Sequence, residues 1–358
     1  MSEAVHELLN RVPPNSLSPP EGFPVDPEVL SSFPPGTKIL SAVPFGKSDW
    51  TVTACLQVEL PGGSTERYFL KCASEDSSRA FMEGEFHAMS ALHAAAPDFA
   101  PKPQSWGEFR TKETRTYFLL SQFIDMRVGV PEPNQFCKKL ARLHRESVSP
   151  TGMFGFHINT YQGHSSQDVG WDASWTECFT KMLRHVMQLD VKTNGHWEEF
   201  DQVGHRILNR VIPRLIGALE SDGRSIKPCL IHGDLWEGNI GTSNETGDVY
   251  IFDGASFFAH NEMEIGDWRC PYNNIHNEVY TRTYLQYFGP SEPKEEWDDR
   301  NRMYCVYYNV IYSANHMSQG KAVRQRKVYL YKILSHSLTF DQCLRGYVLS
   351  HRQICAVS

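Results

Sequence analysis

The nine cysteines of this 358-residue chain are scattered, and none stands in a CxxC pair. That lack argues against a paired-cysteine zinc site. An odd number of dispersed cysteines in a long chain points to reduced thiols rather than a disulfide framework. No apolar run approaches the length of about 18 residues that a membrane span needs. The opening residues, MSEAVHELLNRVPPN, lack a basic stretch followed by an apolar one, so no signal peptide is read there. Positive charge is in short supply: 35 Lys and Arg face 42 Asp and Glu, for a formal net charge of -7. A general nucleic-acid binder would carry a basic surface, although a local basic pocket for phosphates stays open. Internal repeats are missing as well. What is present is ordinary globular composition, 41% hydrophobic and 22% charged, in a chain long enough for one large or two average domains. The expectation is a cytoplasmic protein, a monomer or weak homodimer, with neither nucleic acid nor membrane as partner.

Prolines crowd residues 1–36, which reads as an extended lead-in with a short helix near Val5–Leu9. From Thr37 the pattern becomes strands: Lys38–Val43, Thr51–Leu60 and Arg67–Cys72, separated by the turns PFGKSDW and Pro61-Gly62-Gly63. Phe81, Glu85, Ala88 and Leu92 then follow helical spacing, and Thr116–Phe123 is an apolar run short enough for a buried strand. Beyond Asp125 the balance moves to helix. Gln135–Glu146 and Trp175–Leu189 are amphipathic, and Val203, Ile207, Val211, Leu215 and Leu219 repeat every fourth residue with Pro213 as a kink. Asp298 to Tyr347 reads helical again. The pattern predicts an α+β chain with a small β-rich N-lobe at 37–124 and a larger, mainly helical C-lobe at 125–358. A cleft between lobes is a common ligand site.

The densest chemistry is IHGDLWEGN, Ile231 to Asn239. Asp234 and Asn239 lie on a loop entered by the short strand Pro228–Ile231. A second strand, Val249–Phe252, ends at Asp253; if the two strands pair as a hairpin, Asp253 returns beside Asp234 and Asn239. Three hard oxygen-bearing side chains suit magnesium, which keeps several waters and takes few protein ligands. A carboxylate, a carboxamide after four intervening residues, and a later carboxylate form the protein-kinase order. In that order Asp234 orients the acceptor hydroxyl and takes its proton, while Asn239 and Asp253 hold the metal. His232 is read as a brace for the loop. Phosphoryl transfer also needs a cation on the phosphates; Lys71 on the third strand meets that need, with Glu85 on the following helix as its ion-pair partner. Glu83 competes, but the spacing to Phe81, Ala88 and Leu92 favours Glu85.

These residues resemble the fructosamine-3-kinase (ketosamine kinase) family, within the aminoglycoside phosphotransferase and choline kinase group of protein-kinase-like two-lobe folds. HGDLWEGN is similar to that family's HGDLWxGN, and the tryptophan is more specific than the HxDxxxxN of the wider group. FDGASFFAHNEMEI (252–265), FMEGEFHAMSAL (81–92), FGF (154–156) and SSQDVGWDASW (165–175) resemble further family elements. The resemblance implies ATP and Mg2+ as cofactors and a ketosamine, free or on a glycated protein, as the substrate phosphorylated at its 3-hydroxyl. The product is unstable, so deglycation follows. It also implies nucleotide contacts from Gly46, Lys47 and Ser48 of the first loop and from Gln122 and Phe123. Trp236, His260 and Glu262 would belong to the acceptor pocket, with Trp236 either stacking on the sugar or wedging the loop against the helical lobe.

Two departures stand out. The family's first loop usually carries a GG pair, whereas PFGKSDWT has Gly46 alone, and Gly254 and Ala259 replace the usual proline and glycine. Two other readings stay open: a kinase for another small hydroxyl compound, choline-like or aminoglycoside-like, and a nucleotide-binding pseudokinase scaffold.

Overall fold

A computed structural model describes residues 22–46, 51–74, 77–111 and 114–316. The helix expected near Val5–Leu9, the loop residues Lys47 and Ser48, and the chain after His316 lie outside them. The first described segment is no loose lead-in. Helix α1 (Pro27–Ser31) is capped by Asp26, whose carboxylate accepts Glu28 N–H at 2.8 Å and Arg110 N–H at 3.0 Å. Phe23, Val25, Val29 and Phe33 are buried in the core of the first lobe, so residues 23–33 pack with that lobe instead of preceding it.

The lobe is built on β1 (Lys38–Pro44), β2 (Val52–Glu59) and β3 (Thr65–Ala73), then helix α2 (Ser78–Ala95), then β4 (Pro103–Glu108) and β5 (Tyr117–Gln122). The strands form one antiparallel sheet in the order β1-β2-β3-β5-β4. Strand alternation explains its two faces. Val52, Ala54, Leu56 and Val58 of β2, with Leu70 and Cys72 of β3, enter the core shared with residues 23–33. Lys71 points the other way, paired in register with Thr53 and Leu119, on the face where Met82 of α2 packs with Tyr117 and Leu119. Strand β4 escaped the sequence pattern because it opens on Pro103 and carries a bulge before Ser105, which an edge strand tolerates.

The second lobe begins at β6 (Met126–Val128) and α3 (Pro133–Glu146), whose first turn is capped by the Glu132 carboxylate. A small hairpin, β7 (Tyr161–Gln162) and β8 (Ser165–Ser166), precedes α4 (Trp175–Asn194). The periodic stretch after it is not one helix. Helix α5 (Glu198–Arg206) passes through a wide turn at 207–211, closed by Ile212 N–H to the Ile207 carbonyl, into the short α6 (Ile212–Leu215). Pro213 has no N–H to continue the ordinary ladder, and the turn widens just before it. Then come β9 (Cys229–Ile231), β10 (Ile240–Ser243), β11 (Val249–Ile251), β12 (Phe257–Ala259), α7 (Glu278–Tyr287) and α8 (Trp297–Asn315).

The expected hairpin between Pro228–Ile231 and Val249–Phe252 does not form. β9 pairs with β12, and β11 pairs with β10, which in turn pairs with β6. The turn residues 244–248 join β10 to β11 directly, so the nearer strands close the hairpin and β9 waits for the next strand along. No helix among the described residues is long and apolar enough to cross a membrane.

Candidate active site

Between the lobes lies a cleft of about 670 Å³, and most of the residues singled out above line it. Lys71 sits against its wall, 4% exposed. Its ammonium donates to both Glu85 oxygens, at 2.8 and 3.0 Å, and lies 3.2 Å from Asp253 Oδ1. Burial works against that charge, but Asp253 and Glu85 together hold the ammonium well above its ordinary pKa. Lys71 therefore stays charged, and its cation is available to an anion entering the cleft.

The strand exchange puts Asp253 in its place. Ile240 is paired with Ile251, and Phe252 N–H donates to the Asn239 carbonyl at 3.1 Å, so Asp253 emerges beside Asn239. Asp253 adopts a positive φ of 56°, uncommon for a residue with a side chain. Asn239 Nδ2 donates to the backbone oxygen of Asp234 at 2.8 Å and to its Oδ2 at 3.1 Å. That leaves the amide oxygen of Asn239 and the carboxylate of Asp253 as two hard donors on one wall, a set that fits magnesium, which takes few protein ligands.

The loop carrying Asp234 is held from behind. His232 is fully buried; its Nε2 lies 2.8 Å from the Phe252 carbonyl, and its Nδ1 accepts Asp234 N–H at 3.3 Å. A carbonyl only accepts, so the proton sits on Nε2, and burial lowers the pKa to keep the ring neutral. Glu264 accepts His232 N–H at 2.5 Å and Gly233 N–H at 3.0 Å. Gly233, at φ 84°, has no room for a Cβ, which would lie 2.4 Å from the Ala255 carbonyl. Glu237 accepts backbone N–H groups of Asn274 and Ile275, and Trp268 Nε1 donates to the Leu235 carbonyl at 2.9 Å. Removal from water pushes Asp234 up to about 7, opposed by hydrogen bonds from Gln162 and Asn239.

Phe45, Phe69, Phe123, Leu119, Ile124 and Phe252 line the cleft as well, together with Gly46 and Gln122. Phe45 meets Phe123 edge to face at 4.9 Å, and the Arg67 guanidinium covers Phe123 at 4.8 Å. A flat, apolar ring suits such a lining. Trp236 also lines the cleft, 38% exposed, its indole packed so closely over Gly238 that a Cβ there would meet it at 2.3 Å.

His260 and Glu262 are a correction. Neither lines the cleft. His260 is buried between the Tyr304 and Ser291 hydroxyls, each at 2.8 Å, and Glu262 is locked to Arg300 by contacts of 2.8 and 3.0 Å with no exposed surface on either side chain. The neighbouring Glu264, two residues on, holds the loop instead. Sequence spacing offers nothing to separate two glutamates of one short segment. Gln162, whose Nε2 donates to Asp234 Oδ1 at 2.7 Å, was also missed. It comes from a hairpin far away in the chain and carries no motif.

A small antiparallel sheet over a helical lobe, with lysine, glutamate, two aspartates and asparagine converging between them, is the architecture of the kinase-like phosphotransferases. Among solved structures, a protein from Thermobifida fusca YX-ER1, provisionally named a fructosamine-3-kinase, superposes with a TM-score of 0.64 at 19% identity, over 84% of this chain and 95% of that one. Aminoglycoside phosphotransferase APH(4)-Ia, in a ternary complex with AMP-PNP and hygromycin B, gives 0.56 at 14% identity, over 87% and 98%. The sequence profile of the fructosamine kinase family matches residues 48–336, and this chain belongs to that family. A relative named protein-ribulosamine 3-kinase, chloroplastic, from Oryza sativa subsp. japonica is 28% identical over 227 residues. That match covers 63% of this chain and 61% of the relative's length.

Proposed function

We propose that this protein transfers the γ-phosphoryl group of ATP to the 3-hydroxyl of a ketosamine, free or attached to a glycated protein. The observation that carries the reading is the meeting of Lys71, Glu85, Asp253, Asn239 and Asp234 at one cleft, in a member of the fructosamine kinase family. The rice relative's name, with ribulosamine as its substrate, supports a sugar-derived amine.

In this reading Asp234 aligns the acceptor hydroxyl and takes its proton as the hydroxyl oxygen attacks the γ-phosphorus and the P–O bond to the β–γ bridging oxygen breaks, releasing ADP. Lys71, kept charged and fixed by Glu85, meets the phosphate oxygens as their charge spreads. Asn239 and Asp253 would hold Mg2+, which would neutralise phosphate charge. Gly46 covers the phosphates, and Gln122 and Phe123 border the base. Trp236 offers an aromatic face to the C–H surface of the sugar. Phosphorylation at the 3-position labilises the adduct, so the amine is released. The free thiols of Cys55, Cys72, Cys137, Cys178 and Cys229 agree with a reducing, cytoplasmic setting.

The test is a phosphotransfer assay with Mg2+ and ATP on a ribulosamine, a fructosamine, choline and an aminoglycoside, for wild type and Asp234→Asn. Transfer to a ketosamine, lost in the variant while ATP still binds, supports the reading. Transfer to choline or the aminoglycoside alone overturns the substrate class, and nucleotide binding without transfer to any acceptor marks a scaffold.

A further inference from the structure

Gln162 has no part in the family motif, yet among the described residues it makes one of the two side-chain hydrogen bonds to the Asp234 carboxylate. Asn239 occupies Oδ2 and Gln162 Nε2 occupies Oδ1, at 3.1 and 2.7 Å. The two N–H donors arrive from different parts of the chain and together fix the plane of the carboxylate. Gln162 Oε1 is buried and has no hydrogen-bond partner among the described residues. An orphaned amide oxygen is unfavourable, and turning the amide over would set that oxygen against a carboxylate that only accepts when ionised. The contact with Asp234 therefore decides how the amide lies.

The hairpin that carries Gln162 is itself braced on three sides. Asn315 of α8 donates to the Gln162 carbonyl at 2.7 Å and receives the Ser165 hydroxyl at 2.8 Å. Thr160 Oγ1 and Gln167 Nε2 both donate to the Ala255 carbonyl, at 3.0 and 2.9 Å, and Ala255 N–H reaches the His232 carbonyl. On the N-lobe side, Gly84 of α2 lies so close that a Cβ there would stand 2.8 Å from the Asn159 carbonyl, and Phe81 meets the Tyr161 ring edge to face. A rigidly placed donor is what a base needs when small misplacements are costly.

We propose that Gln162 is a positioning residue for Asp234: delivered by the β7–β8 hairpin, its amide N–H fixes the orientation of that carboxylate toward the acceptor hydroxyl. This rests on the reading of Asp234 as the base. The experiment uses the full chain and two variants, Gln162→Met, which keeps the shape and loses the donor, and Gln162→Glu, which keeps the length and an acceptor only. With a ribulosamine acceptor, kcat falls about tenfold in both, while the KM values for ATP and acceptor stay within about twofold. Crystal structures of wild type and Gln162→Met then show the Asp234 carboxylate rotated in the variant. An unchanged kcat overturns the proposal, as does a rise in KM alone. If wild type phosphorylates no ketosamine, the functional reading falls, and the crystal structures still decide: an Asp234 that keeps its orientation in Gln162→Met removes the positioning role.

Discussion

At the scale of the residue, burial decides which ionisable groups carry charge. Lys71 is buried and charged because two carboxylates meet it. His260 is buried and neutral because two hydroxyls do, and removal from water lowers its pKa from 6.5 to about 4. The folded state thus resists a proton that the unfolded chain accepts. The stabilisation from His260 is full above pH 6.5, declines as pH falls, and levels off below about 4. The gap corresponds to about 3 kcal/mol. Asp234, raised by burial, slopes the opposite way over the same range, so the informative quantity is a difference between proteins. Urea unfolding at about pH 7 and about pH 4.5 is expected to show wild type losing more stability than His260→Gln. Equal losses would mean that His260 does not resist protonation in the fold. The two glutamates of HNEMEI teach the same lesson: Glu262 satisfies Arg300 and Glu264 satisfies the backbone of the loop that carries Asp234.

At the scale of the element, α2 does two jobs that its sequence shows unequally. Helical spacing placed Glu85 toward Lys71, and the contact is there. The role of Gly84 was not legible, because the surface it approaches belongs to residues 159–161 of the other lobe. Gly84→Ala should force that contact apart. The expected result is a stability loss of about 1–3 kcal/mol and a raised KM for ATP as Glu85 shifts from Lys71, measured by thermal unfolding and steady-state kinetics. A variant with wild-type stability and KM would show that the helix and hairpin have slack. The strand pairing is the second case. Short apolar runs named β9 and β11 as strands, but pairing depends on neighbours, and β9 found β12 while β11 found β10. Asp253 reaches Asn239 either way, by a route the pattern did not show.

At the scale of the whole molecule, the first lobe includes chain that reads as a proline-rich leader. Phe23 and Val29 have no exposed surface in its core. Phe23→Ala is expected to cost about 3–5 kcal/mol, seen as a lower unfolding midpoint with weakened nucleotide binding, since the sheet that carries Lys71 loses backing. Unchanged unfolding would show that residues 23–33 only rest on the lobe. The sequence by itself determined the β-rich and helical halves, the order Asp234, Asn239, Asp253, and the Lys71–Glu85 pair, because periodicity and spacing are local properties that survive without coordinates. Tertiary structure alone decided what packs against what. It turned His260 and Glu262 inward, drew residues 23–33 into the core, and brought Gln162 to Asp234 across 72 positions of the chain. Such contacts arise when distant surfaces exclude water together, and no local pattern records which surfaces those will be.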